Sequence, residues 1–158
     1  GARTVFTVAD FDRDGARDFV IGDTYGKVRY FRNETPRGKA EFRFADPVEF
    51  GDLGIRGLVD SADWNGDGWP DVIASAANGK VRVYLNQGSD SEPRFAEGFD
   101  PGLPPIIQPR VIVADINGDG DDDLFLPSTQ GSCFVERSFL KNGYARAVLR
   151  ATQQRPDR

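Results

Sequence analysis

Short apolar runs separated by dense polar turns recur three times along the chain. Residues 4–9, 57–62 and 110–114 each run into a cluster of acidic and amide side chains. Directly after each cluster comes a second apolar run, at 19–21, 72–74 and 124–126. A glycine-containing turn then leads to a third, at 28–32, 81–85 and 133–137. In this third run apolar and polar residues alternate, with Val28 and Tyr30 against Arg29 and Val81 and Val83 against Arg82. A period of two is the pattern of a half-buried strand. A weaker fourth strand is predicted around 42–44, 94–95 and 144–149. No segment sustains a helical period, and 151–158 reads as a frayed tail.

The periodicity extends beyond the apolar runs. Asp10 and Asp63 are 53 residues apart, and Asp63 and Asp115 are 52 apart. Gly26-Lys27-Val28-Arg29 returns as Gly79-Lys80-Val81-Arg82, and Phe42 returns as Phe95. Four antiparallel strands at such a period mark the blades of a β-propeller, whereas solenoid repeats with nonapeptide periods are far shorter. The predicted fold is all-β, with three four-stranded blades at about 4–50, 57–103 and 110–150. Three blades are fewer than the roughly four to eight that close a ring. The chain is therefore part of a larger propeller, an open stack, or a ring completed by a second copy.

The polar clusters carry the chemistry. Oxygen-bearing side chains stand at the first, third, fifth and ninth positions of each: Asp10, Asp12, Asp14, Asp18; Asp63, Asn65, Asp67, Asp71; Asp115, Asn117, Asp119, Asp123. The sixth position is Gly in every copy, and the seventh (Ala16, Trp69, Asp121) would offer its backbone carbonyl. Carboxylates this crowded repel one another unless a cation sits among them, and Ca²⁺ takes several hard oxygens at about 2.3–2.6 Å. Asp, Asn and Gly also favour turns for reasons unrelated to metal, but three copies in frame favour three calcium sites. An EF-hand fails, because its twelfth position needs a bidentate Glu and the residues here are Ile21, Ala74 and Leu126.

The motif Asp-x-Asp/Asn-x-Asp-Gly-x-x-Asp, followed by an apolar strand, resembles the FG-GAP/VCBS repeat family. The resemblance spans nearly all of residues 4–150. It implies blades of the kind found in integrin α-chain heads, certain lectins and some polysaccharide lyases. It also implies that Ca²⁺ rigidifies the hairpin between the first two strands of each blade, with the twelve side chains above as ligands.

Composition sharpens the picture. With 158 residues, 39% hydrophobic and 28% charged, the chain can bury a core. The net charge of −5 does not argue for a cationic partner, because 12 of the 25 acids lie in the three loops. No basic stripe interleaved with aromatics argues for nucleic acid. No apolar run approaches the roughly 20 residues of a membrane span, and no signal peptide is visible. The single Cys133 lies in an apolar strand and reads as a buried thiol. Asn33-Glu34-Thr35 is a glycosylation sequon in form.

A chain without histidine has no histidine-dependent triad or relay. The loops look closed, whereas a catalytic ion needs an open position, so no catalytic residues are predicted and the ions read as structural. The expected function is a calcium-stabilised extracellular, periplasmic or cell-surface adhesion module with a carbohydrate or protein ligand. Trp64, Trp69, Tyr25 and Phe99 are the aromatics that would stack on such a ligand if exposed, and Trp64 and Trp69 packing between blades is the competing reading. Two alternatives stand beside it. One is a fragment of a polysaccharide lyase using Lys or Arg, with Lys27 and Lys80 at equivalent repeat positions; the other is an architectural segment that self-assembles through unpaired edges.

Overall fold

The computed structural model describes residues 4–88, 93–103, 110–116, 118, 120, 122–128 and 131–135. Ten antiparallel strands among them form three sheets in chain order. The first sheet contains β1 (Val5–Ala9), β2 (Asp18–Gly22), β3 (Lys27–Phe31) and β4 (Val48–Asp52). The second contains β5 (Gly57–Ala62), β6 (Asp71–Ala76) and β7 (Val81–Tyr84). The third contains β8 (Ile112–Ala114), β9 (Asp123–Ser128) and β10 (Gly131–Val135). These are the expected blades, with the bounds of their first three strands within two residues of the sequence reading. Among the described residues the sheets do not close into a ring.

The fourth strand is where sequence and structure part. Residues 42–44 do not form it: Phe44 makes an isolated bridge to Asn33, and the ladder with β3 begins only at Val48. In the second blade Phe95 bridges Asn86 and Phe99 bridges Val83, without a continuous strand. The equivalent of Phe95 is thus Phe44, not Phe42, because the first connection is two residues longer between its bridging partners. The fourth strand predicted at 144–149, the tail at 151–158 and the burial of Cys133 lie outside the described residues and side chains.

The blades stack through their faces. β1 lies beside β5 and β5 beside β8, so the first strand of each blade forms the shared inner edge. Thr7 Oγ1 sits 2.8 Å from Ser61 Oγ, and Asp60 Oδ2 accepts from Val113 N at 2.9 Å, stitching successive inner strands. At Gly22 a Cβ would meet Gly57 O at 2.5 Å, so the end of β2 touches the start of β5 backbone to backbone.

Two apolar clusters fill the spaces between blades. The first joins Phe11, Val20, Val28 and Tyr30 to Val59, Val72 and Tyr84. The second joins Ile73, Val81 and Val83 to Val111, Leu124 and Leu126. Strand β6, covered on both faces, is buried at all six positions, whereas β2 alternates between buried and half-buried. Tyr84 shows how tight the packing is: a Cβ at Gly51 or at Gly98 would come within 2.6 or 2.5 Å of its side chain.

Candidate metal centre

Each acidic loop closes the hairpin between the first two strands of its blade, and the three loops repeat one hydrogen-bond scheme. The carboxylate at position one folds back over the turn and accepts the position-six N–H: Gly15 to Asp10 at 3.1 Å, Gly68 to Asp63 at 2.8 Å, Gly120 to Asp115 at 3.0 Å. These glycines have φ between 88° and 89°, which only glycine adopts cheaply. Position four also takes positive φ, at Gly66 (76°) and Gly118 (78°) but at Arg13 (57°) in the first loop.

The ninth residue anchors the loop to its blade. Asp18 accepts from Phe11 N at 3.1 Å and Asn33 N at 2.8 Å; Asp71 accepts from Trp64 N and Asn86 N, both at 2.7 Å. Asp123 accepts from Ile116 N at 3.1 Å. These three aspartates are fully buried. Burial pushes the Asp71 carboxyl up to about 6 and raises that of Asp18, because the charged form loses its water.

In the first loop, Asp10, Asp12 and Asp18 bring carboxylate oxygens within 4.8 Å of one another. Asp12 is fully buried, and burial raises its carboxyl pKa. Asp10 Oδ1 and Asp12 Oδ2 are buried without a hydrogen-bond donor. Arg32 Nε lies 2.8 Å from Asp12 Oδ2 as an ion pair, yet not in hydrogen-bond alignment. Asp10 Oδ1, with no donor, is strongly unfavourable as a buried anionic oxygen, and a divalent cation among the three carboxylates removes that penalty. The donor set, all hard oxygens, fits Ca²⁺.

Asp14 stands slightly apart, its Oδ1 accepting from Ala16 N at 2.7 Å and its Oδ2 3.8 Å from Arg32 Nη2. In the second loop Asn65 Nδ2 donates to Asp67 Oδ2 at 2.7 Å, and Asp67 Oδ1 accepts from Trp69 N at 2.8 Å. In the third, Asp115 also accepts from Gly118 N at 2.7 Å. Asn117, Asp119 and Asp121 lie outside the described residues.

The candidate aromatics do not converge. Trp64 is half-buried against the second apolar cluster, as is Phe99. Trp69 is covered by the Arg13 guanidinium, 3.9 Å from its ring centre. Tyr25 is 77% exposed, but it lies in the β2–β3 turn at the other end of its blade. Lys27 is held by Glu49 at 2.7 Å and Asp52 at 2.9 Å, which raises its pKa and makes it a poor base.

Two asparagines escaped the sequence reading. Asn86, 1% exposed, donates from Nδ2 to Phe11 O at 2.9 Å and accepts at Oδ1 from Gly88 N and Arg94 N. Its equivalent, Asn33, donates to Arg17 O at 3.0 Å and accepts from Thr35 N. The sequon asparagine therefore spends its amide on the first acidic loop. The signal was available, since Asn33 and Asn86 share the 53-residue offset.

Between the first two blades lies a cleft of about 700 Å³. Phe50 and Phe95, stacked with ring centres 4.1 Å apart, form part of its wall. Glu34, Asp46, Arg94 and Glu97 line it with polar groups.

Comparison with known proteins agrees with this geometry. The FG-GAP-like repeat matches residues 10–74 and again 63–126. Cartilage acidic protein 1 of Xenopus tropicalis is 30% identical over 90% of the chain, and the proteins of that name from Mus musculus and Homo sapiens are 28% identical over 90%. The chain spans about a quarter of the length of these relatives, 24%, 24% and 23% respectively.

Proposed function

This chain belongs to the FG-GAP-like repeat family, and we propose that it is a calcium-braced extracellular module that binds carbohydrate between its blades. Asp10, Asp12, Asp14 and Asp18 would hold one ion with the Ala16 carbonyl. Asp63, Asn65, Asp67 and Asp71 would hold a second with that of Trp69, and Asp115, Asn117, Asp119 and Asp123 a third with that of Asp121. The observation that carries the metal reading is the buried, donorless Asp10 Oδ1 in a three-carboxylate cluster with Asp12 and Asp18. Loops of this kind suit extracellular calcium levels, and the relatives are named for cartilage.

The ligand reading rests on the cleft. An aromatic wall of Phe50 and Phe95 beside the carboxylates of Glu34, Asp46 and Glu97 offers a sugar both a stacking face and acceptors for its hydroxyls. Because Lys27 is tied to Glu49 and Asp52, the uronate-cleaving alternative is the weaker one. Calorimetric titration of the metal-free chain with Ca²⁺, then a glycan array probed with the calcium-loaded chain, tests both parts. Expected are saturable calcium heats, a raised melting temperature, and glycan binding weakened at least several-fold by Glu97→Gln. An absence of calcium heat sinks the metal reading, and a blank array sinks the carbohydrate one.

A further inference from the structure

The third loop position separates the first two acidic loops. It is Asp12 in the first and Asn65 in the second. The first loop therefore carries four carboxylates and the second three. The extra one, Asp12, is fully buried and lies within 4.8 Å of carboxylate oxygens from Asp10 and Asp18.

A cation answers it. Arg32, the residue after β3, places Nε 2.8 Å from Asp12 Oδ2 and Nη2 3.8 Å from Asp14 Oδ2. Its counterpart 53 residues on, just after β7, is Leu85, which packs on the second apolar cluster. Among the described residues no lysine or arginine pairs with Asp63, Asp67 or Asp71. The extra acid and the extra base come together, and the two loops end with the same formal charge: four carboxylates against one guanidinium in the first, three carboxylates alone in the second.

The turn itself is indifferent to this pair. Asp12 Oδ1 accepts from Asp14 N at 3.2 Å, and Asn65 Oδ1 accepts in the same way from Asp67 N at 3.0 Å. The bonds at positions one and nine are also built alike in both loops. What the pair changes is charge. Calcium affinity in oxygen-ligand loops follows the number of charged ligands, and a buried carboxylate without its partner is costly when no metal is bound. The Arg32 side chain is one-third exposed and lines the cleft between the blades, so it can turn to water when Asp12 no longer holds it.

We propose that Arg32 sets the calcium affinity of the first loop, cancelling the charge of Asp12 so that this site is held near the second. Arg32 acts through Asp12 as a positioning charge. The proposal rests on the calcium reading of the loops.

The test is a double-substitution cycle on the full chain, titrated with calcium against a competing chelator and followed by nuclear magnetic resonance. The Gly15 and Gly68 amides, each bonded to the position-one carboxylate of its own loop, report the two sites separately. Arg32→Leu should tighten the Gly15 site roughly tenfold and Asp12→Asn should weaken it by a similar factor. The double variant rebuilds the pair that the second loop has, and should return close to the parent chain. Arg32→Lys keeps the charge and should also stay close to it. The metal-free melting temperature should fall in Arg32→Leu and recover in the double variant. Arg32→Gln serves if Arg32→Leu loses its β-sheet circular dichroism. An Arg32→Leu chain that binds calcium more weakly, with Arg32→Lys equally weak, overturns the proposal, because Arg32 would then be holding the shape of the loop. So does a double variant that binds as tightly as Arg32→Leu alone, or an equal shift at the Gly68 site. A parent chain in which neither amide moves with calcium removes the calcium reading itself, whereas sites that bind calcium and ignore Arg32 remove only this proposal.

Discussion

The guanidinium of Arg13 rests 3.9 Å from the centre of the Trp69 ring, so the first acidic loop reaches across to the second. It passes so close over Gly68 that a Cβ there would meet Arg13 Nη2 at 2.7 Å. Arg13 does so from φ +57°, a conformation that the other two loops assign to glycine.

Two substitutions separate the contact from the strain. Arg13→Ala keeps the left-handed backbone and loses the cation–π contact, which is worth about 0.5–1 kcal/mol at an exposed site. Arg13→Gly loses the same contact but relieves about 1–2 kcal/mol of backbone strain. The Ala variant should melt below the parent chain and the Gly variant at or above it, in calcium. Equal melting temperatures for the two would mean that position four carries no strain.

Most of the blade was legible because strand alternation and the loop motif are both local and both repeated. Val28 to Arg29 and Val81 to Arg82 announce their strands by period, and the loops by ligand spacing. The fourth strand was misplaced because Phe44 makes only an isolated bridge to Asn33 while the ladder with β3 forms further on, at Val48–Asp52; the two extra residues of the 33–44 connection explain only why the offset pairs Phe42 with Phe95. The role of position four was also missed, since Arg there hides a backbone requirement that Gly66 and Gly118 reveal only by comparison. Trp64 and Trp69 illustrate a different limit: composition marks them as aromatic, but only packing decides that one fills a core and the other lies under Arg13.

Asn86 couples two acidic loops, one through its buried side chain and one through its backbone N–H. It holds Phe11 O of the first loop, and its backbone N–H holds Asp71 of the second. Asn86→Ala leaves the Phe11 carbonyl and the N–H groups of Gly88 and Arg94 without their partner. At about 1–3 kcal/mol for a buried group left unsatisfied, the variant should lose at least about 2 kcal/mol in urea unfolding. Its calcium affinity should weaken at the first loop, while the backbone N–H that holds Asp71 is kept. A loss confined to stability would show that Asn86 does not position the loops.

Tyr84 is held between Gly51 of the first blade and Gly98 of the second. A methyl group at either position pushes directly on its ring, and overpacking of this kind costs about 1–3 kcal/mol. Gly51→Ala and Gly98→Ala should each lower stability in that range. Each should be partly rescued by Tyr84→Phe, since the Gly51 site presses on the hydroxyl oxygen itself at 2.6 Å. Rescue at Gly51 should exceed rescue at Gly98, where the closest atom is a ring carbon at 2.5 Å. The reverse order would place the ring differently.

Acid should act in opposite directions on the metal-free and the calcium-loaded chain. Asp71 is pushed up to about 6 by burial, and Asp12 and Asp18 are raised for the same reason. Without metal, the folded state holds protons that the unfolded chain, with ordinary carboxyls, has already released. That stabilisation is complete below the unfolded carboxylate pKa of about 3.9 and is lost as pH rises through about 6. The metal-free chain should therefore melt higher at pH 5 than at pH 7.5, and Asp71→Asn should flatten the slope. Calcium requires the same carboxylates in their charged form, so protons compete with it. Affinity at the second loop should fall by up to about tenfold for each pH unit below 6 if one proton is displaced. Differential scanning calorimetry with and without calcium at the two pH values measures both trends. A metal-free chain that gains stability between pH 5 and pH 7.5 would show that other groups outweigh these buried carboxylates, and a calcium affinity that ignores pH would remove Asp71 from the ligand set.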